Sequence, residues 1–206
     1  MSGINSSTAA WYASRATGVV ALLLLTLVML LGLLVTKRAR LPGLPRFATS
    51  GLHRNLSLLA VIFVTVHVLT AVLDGYVNIP LASAVVPLSS SYERFWLGLG
   101  AVSLDLMLAA VVTSLLRGRL RRRVWRAVHL TAYLSWPVAW VHCVFAGGDL
   151  RQGPLLGLAL GCAAAVAGAT AWRLAAAARQ VPPAERVGRL MAAGPGQPAR
   201  ERTLSR

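Results

Sequence analysis

Acidic residues are scarce in this 206-residue chain: six Asp and Glu stand against 21 Lys and Arg. Asp105 is the only carboxylate embedded in apolar sequence, which excludes the carboxylate chain a proton relay recruits. Cysteine is scarcer still. Cys143 and Cys162 lie in apolar stretches without metal-ligand spacing and read as small buried hydrophobes. Charged residues make up 13% of the chain and hydrophobic ones 56%, a balance that excludes an ordinary soluble domain of this size. There is no Gly-rich nucleotide loop and no strand to carry one, so the chain is not expected to bind a flavin or nicotinamide itself.

What the sequence does have is long apolar runs. A helix crossing a bilayer core of about 30 Å needs about 20 apolar residues. Five blocks qualify: Thr17–Thr36, Leu56–Leu73 (with a helix start nearer Leu52), Phe95–Leu116, Val124–Phe145 and Leu155–Ala178. Continuous runs such as Val19–Val35 are not barrel strands, which alternate. The expected fold is all-α, an integral membrane bundle of five transmembrane helices over residues 17–178. A polar lead, 1–16, precedes it, and a basic, Pro-interrupted tail, 179–206, follows and is expected to be disordered. The first block is too long for a cleaved signal peptide, and its basic residues follow rather than precede it. Pro42, Gly43 and Pro45 mark a turn within Lys37–Gly51, and Asp74–Glu93 is the longest connection. In the last block Gly157, Gly161 and Gly168 predict close helix packing within the bundle, or an oligomer contact with a like or unlike chain. Trp96, Trp125, Trp140 and Trp172 fall near helix ends, as an aromatic belt would.

The net charge of +15 is distributed unevenly. Lys37, Arg38, Arg40, Arg46, Arg54, the run Arg117–Arg126 and the tail arginines fall on one side of an alternating topology. The other side holds Arg15, Arg94 and Arg151 beside Asp74, Glu93 and Asp149. Basic loops mark the cytoplasmic face, so the N-terminus is expected outside and the C-terminus in the cytoplasm of a multi-pass plasma-membrane protein. The charge therefore reads as topology and anionic-lipid contact, not nucleic-acid binding.

The four histidines are the chemical signal. His53 and His67 lie 14 residues apart in the second block, His129 and His142 13 apart in the fourth. Both blocks run from inside to outside, which sets His53 and His129 near the inner face and His67 and His142 about 20 Å further out. Ligands split between two such levels cannot share one zinc ion. Two imidazoles at each of two depths suit low-spin heme iron held between neighbouring helices, so two b-type hemes are expected. One feature resists this. An ideal helix sets residues 14 apart about 40° from each other but residues 13 apart about 140°, and the bend that Pro137 introduces is expected to bring His129 and His142 to one side. Arg54 and Arg126 are candidate partners of inner heme propionates, with Arg94, Tyr76 and Tyr92 weaker candidates on the outer side.

With those histidines, the Ser14–Gly18 lead (Ser-Arg-Ala-Thr-Gly) and the Thr113–Arg117 helix end (Thr-Ser-Leu-Leu-Arg), the chain resembles the ferric reductase-like transmembrane domain family over about Ser14–Arg173. That family includes the membrane portions of ferric-chelate reductases and NADPH oxidases and the heme subunit of the bacterial periplasmic methionine sulfoxide reductase. The resemblance implies that His53 with His129 holds an inner heme and His67 with His142 an outer one. It also implies a donor, either quinol or a separate cytoplasmic flavoprotein carrying FAD or FMN, and an extracytoplasmic electron acceptor. Family members commonly have six helices and continue into a soluble FAD- and NADPH-binding region. This chain supports five, with about 30 residues after the last, and is expected to act as a stand-alone module. A dedicated membrane subunit of one exported reductase is the close alternative. A non-redox scaffold or transporter is the distant one.

Overall fold

In the computed structural model, residues 6–35, 46–74, 77 and 79–178 are described. They form helices α1 (Ser6–Val35), α2 (Arg46–Leu73), α3 (Ala82–Val85), α4 (Arg94–Leu115), α5 (Arg122–Phe145) and α6 (Gly153–Ala178), with a 3-10 turn at Asp149–Arg151 before the last. No strand occurs among the described residues. The long helices have 22 to 30 residues, enough at about 1.5 Å per residue to exceed a hydrocarbon core of about 30 Å. Stretches of α1, α2, α4 and α6 (Ala9–Leu34, Phe47–Leu73, Arg94–Leu115 and Gly153–Ala178) are both long and apolar enough to cross a membrane. The protein is a multi-pass membrane protein. Helix α5 is long enough too, but its histidines, tryptophans, serine and Pro137 dilute its hydropathy.

Two boundaries differ from expectation. Helix α1 starts at Ser6, taking most of the anticipated polar lead, because Ser6–Ala16 contains neither Gly nor Pro to stop a helix. Helix α2 starts at Arg46, immediately after the Pro42–Pro45 segment, so His53 lies about two turns inside it. Most of the Lys37–Gly51 turn, Tyr76 and the tail 179–206 lie outside the described residues.

Polar side chains in these helices satisfy themselves. Thr26, Thr65, Thr70 and Thr113 each bond the carbonyl four residues back, and Ser57 bonds that of His53. Large apolar side chains instead face outward, among them Ile62, Leu69, Val112, Leu134 and Leu160. The surface is that of a protein whose solvent on these faces is lipid.

Helices α1 and α2 pack along each other as one antiparallel hairpin, α4 and α5 as a second, and α1 also touches α5. Helices α2 and α5 do not pack closely. Polar pairs join the elements. Ser103 and Ser135 each donate to the other's backbone carbonyl between α4 and α5, at 3.0 and 3.2 Å. The Trp136 indole donates to Thr26 of α1 at 3.0 Å, and the Trp140 indole to the Ala159 carbonyl of α6 at 2.8 Å. Trp140 is thus a helix-to-helix link and not the belt residue its position suggested. The α6 glycines also depart from expectation. Among the described residues, no atom beyond the helix's own backbone would lie within 4 Å of a Cβ built at Gly157, Gly161 or Gly168, so none of the three mediates packing there. The faces of α6 that do pack use Ala159, Cys162 and Val166. The bundle proper ends at Ala169; Thr170–Arg206 form a second unit, of which the end of α6 is described.

Candidate functional site

The gap between the two hairpins holds the histidines. His53 of α2 faces His129 of α5 with ring centres 6.4 Å apart and planes at 74°. His67 of α2 faces His142 of α5 at 6.3 Å and 71°. All four therefore meet ring to ring across a space that the backbones of α2 and α5 leave open. Both α5 histidines reach α2, with Pro137 between them inside an otherwise continuous helix. Proline gives no backbone N–H to the carbonyl of Tyr133, the local defect that loosens the ideal register.

The His67–His142 pair, called outer after the expected topology as His53–His129 is called inner, is the more enclosed. His67 Nδ1 lies 2.8 Å from the Ser14 carbonyl of α1, and His142 Nδ1 lies 2.8 Å from the Trp96 carbonyl of α4. A carbonyl only accepts, so each of these Nδ1 atoms carries the proton and Nε2 is left as the bare nitrogen, with a lone pair to offer. Around the rings lies an apolar slot with about 850 Å³ of atom-free space, part of it open to the surroundings. Leu22, Val68, Leu97 and Ala139 are among its walls. Ile79, Ser83 and Ala84 close it from the α2–α4 connection, which is therefore a folded cap and not a bare loop. Ser89 bonds Ser83 at 3.1 Å, and Arg94 bonds the Leu88 carbonyl at 2.6 Å, tying this cap to the start of α4. Nearby, Arg15 bonds both Asp149 and the Gly147 carbonyl at 2.6 Å, clasping α1 to the turn after α5.

The inner pair is held differently. His53 Nδ1 is buried without a hydrogen bond, and the ring lies beside the backbone of Val28 on α1. His129 Nδ1 meets a hydroxyl, Ser114 Oγ, at 3.4 Å. Its ring stacks on Trp125 at 5.1 Å, and the Arg117 guanidinium lies 4.7 Å over that indole.

The arrangement limits what could sit between the rings. Two imidazoles bonded through Nε2 to one ion, at about 2.0 Å each, have ring centres roughly 6 Å apart when they approach from opposite sides. Both pairs have that spacing. Among the described residues no three or more His, Cys, Asp or Glu converge, so neither pair is part of a larger metal cluster. Two nitrogen donors opposite each other, with apolar walls on the remaining sides, suit an ion that brings its own equatorial ligands, as iron porphyrin does. The residues present fit that group.

Residues 17–142 match the family model described as ferric reductase like transmembrane component. The chain belongs to this family. The match covers more than half of the ferric reductase-like protein and runs from the second turn below Trp11 on α1 to His142, enclosing all four histidines. Such a transmembrane component is a membrane electron-transfer module. No curated protein and no solved structure matches the chain.

The remaining sequence candidates do not join the pairs. Arg54 and Arg126 are exposed and bond no described residue. Arg94 is engaged with Leu88, and Tyr92 is exposed. Asp105 is half-buried on α4 without a hydrogen bond or ion pair among the described residues. Cys143 lines the outer slot beside His142. The sequence reading gave no histidine contact to several residues around the rings: Ser114, the Trp125–Arg117 stack, and the glycines Gly18, Gly32 and Gly100, although Ser114 and Gly18 lie in the stretches that carry the resemblance. Each of these glycines would meet a histidine ring within 4 Å if given a Cβ.

Proposed function

We propose that this protein is a diheme b-type conduit that passes electrons from a cytoplasmic flavoprotein or quinol to an extracytoplasmic acceptor. His53 and His129 would hold the inner heme, and His67 and His142 the outer one. The observation that carries the reading is the ring spacing, 6.4 and 6.3 Å in two independent pairs, between helices that otherwise stay apart. Side chains packed only for stability would close such a gap. Hemes held there supply reversible one-electron chemistry at two depths.

The chain's own contribution is to hold and insulate. The Ser14 and Trp96 carbonyls keep Nδ1 protonated on the outer pair and present Nε2. The apolar walls of the slot disfavour water at the outer site, and the cap over it limits access from that side. Arg54 and Arg126, adjoining His53 and one turn before His129, are free to reach inner propionates. The basic Arg117–Arg126 connection supports an inner face toward the cytoplasm, with the N-terminus outside. Delivery to one exported reductase is a narrower form of the same reading, and co-purification of that partner distinguishes it.

The test is an oxidised-minus-reduced spectrum of the purified protein with pyridine hemochrome quantification. Two hemes b per chain are expected. A colourless preparation from heme-replete cells would sink the reading and favour a non-redox scaffold or transporter.

A further inference from the structure

A regularity runs through the histidine environments. The carbonyl that receives His67 Nδ1 belongs to Ser14, and the residue four further on is Gly18. The carbonyl that receives His142 Nδ1 belongs to Trp96, and four further on is Gly100. His53 lies beside the backbone of Val28, and four further on is Gly32, but here Nδ1 makes no hydrogen bond. In a helix each Cα–Cβ bond tilts toward the N-terminus, so a side chain at position i+4 stands over the carbonyl of residue i. That carbonyl already accepts the i+4 amide, and its second lone pair can be reached from outside only if no side chain covers it. Glycine supplies that opening.

The clearances are graded. A Cβ at Gly100 would lie 2.8 Å from His142 Cε1 and 2.9 Å from its Nδ1. At Gly18 it would lie 3.0 and 3.1 Å from the same atoms of His67, and at Gly32 3.5 Å from His53 Cε1. The fourth histidine breaks the pattern: position 114, which stands to His129 as Gly100 does to His142, holds Ser114, and its hydroxyl takes the place of the carbonyl.

We propose that Gly18 and Gly100 are positioning residues, each uncovering a helix carbonyl that captures the facing histidine through Nδ1 and leaves Nε2 as the ligating nitrogen, whereas Gly32 has the same placement without the capture. The proposal rests on the diheme reading for its purpose, but the capture itself is a property of the polypeptide. Two measurements on the full chain in nanodiscs separate them. The first is heme per chain. The second is nitrogen NMR of 15N-histidine-labelled, dithionite-reduced protein, which reports the Nδ1–H tautomer with or without a porphyrin.

Gly100→Ala is expected to weaken outer heme retention by at least tenfold and to remove the His142 Nδ1–H signal. Gly18→Ala should act in the same direction on His67 but less strongly, and Gly32→Ala should leave both readouts nearly unchanged. Gly161→Ala, at an open position, should change nothing. Inner heme retained in Gly100→Ala shows that the bundle has folded. A wild type without heme ends the functional reading while the tautomer series still decides the glycines. An unchanged His142 signal in Gly100→Ala, or equal losses across all four variants, overturns the positioning role.

Discussion

The two histidine pairs have nearly the same ring geometry and very different surroundings. In the outer pair both Nδ1 atoms bond helix carbonyls at 2.8 Å, and the α2–α4 connection folds over the slot. In the inner pair one Nδ1 has no ordinary hydrogen bond and the other has a hydroxyl at 3.4 Å, with an indole stacked alongside. The ring spacing is thus set by helix register, which the two levels share. How firmly each ring is held is set by the helix behind it, which they do not share. A firmly oriented ligand makes a more basic donor and a more rigid site, so the outer site should be the tighter and the inner one the more adjustable.

The largest effects should come from the proposed ligands themselves. His67→Ala is expected to reduce two hemes per chain to one, leaving the spectrum of the inner site, and His53→Ala the converse. Loss of both hemes in either variant would mean that the levels fold as one unit and that the comparison is false. Ser114→Ala should be milder. It removes a hydroxyl that touches His129 at the limit of hydrogen bonding, so inner heme affinity is expected to fall about tenfold, the low end for a supporting group. Titrating heme back into the stripped protein measures this, and a drop at the outer site instead would reverse the assignment.

Much of this architecture was legible in the sequence. Block length and hydropathy located the helical segments because a membrane helix must be apolar wherever it meets lipid, and α4, α5 and α6 fall within two residues of their expected places. Helix ends were less legible, since Ser6–Ala16 and Arg46–Gly51 are helical without being apolar. The glycine openings were hidden because they are contacts between helices, and hydropathy describes each helix alone. One trace was nonetheless present: Gly18 and Gly32 are 14 residues apart, the spacing of His53 and His67 on the antiparallel neighbour. The glycines that drew attention, on α6, have open space around them. Small residues permit close approach but do not say what approaches.

Smaller effects test the enclosure of the outer site. Arg15 joins α1, one residue after the carbonyl that holds His67, to Asp149 and Gly147 beyond α5. The ion pair is only partly buried, with side chains 32% and 41% exposed, so Arg15→Gln should lower stability by only about 1 kcal/mol. Thermal unfolding in detergent measures that loss. Outer heme should dissociate faster in this variant while inner heme does not, and equal acceleration at both sites would show that the clasp serves the whole bundle.

The smallest effect concerns the cap. Leu88 and Glu93 both have left-handed backbone, at φ 65° and 41°, where a residue with a Cβ is strained by roughly 1–2 kcal/mol. Glu93 is exposed, and its backbone carbonyl receives the Leu97 amide at the start of α4. Glu93→Gly relieves the strain but loosens the unfolded chain by a comparable amount, so stability should change by less than about 1 kcal/mol. Glu93→Val adds a branched side chain to the same backbone and should destabilise the cap by about 1 kcal/mol or more. Transfer of heme to excess apomyoglobin reads the consequence at each site. Faster outer loss in Glu93→Val, with the Gly variant unchanged, is the pattern that a cap sheltering one pair alone requires, because among the described residues this segment lines the space around His67 and His142.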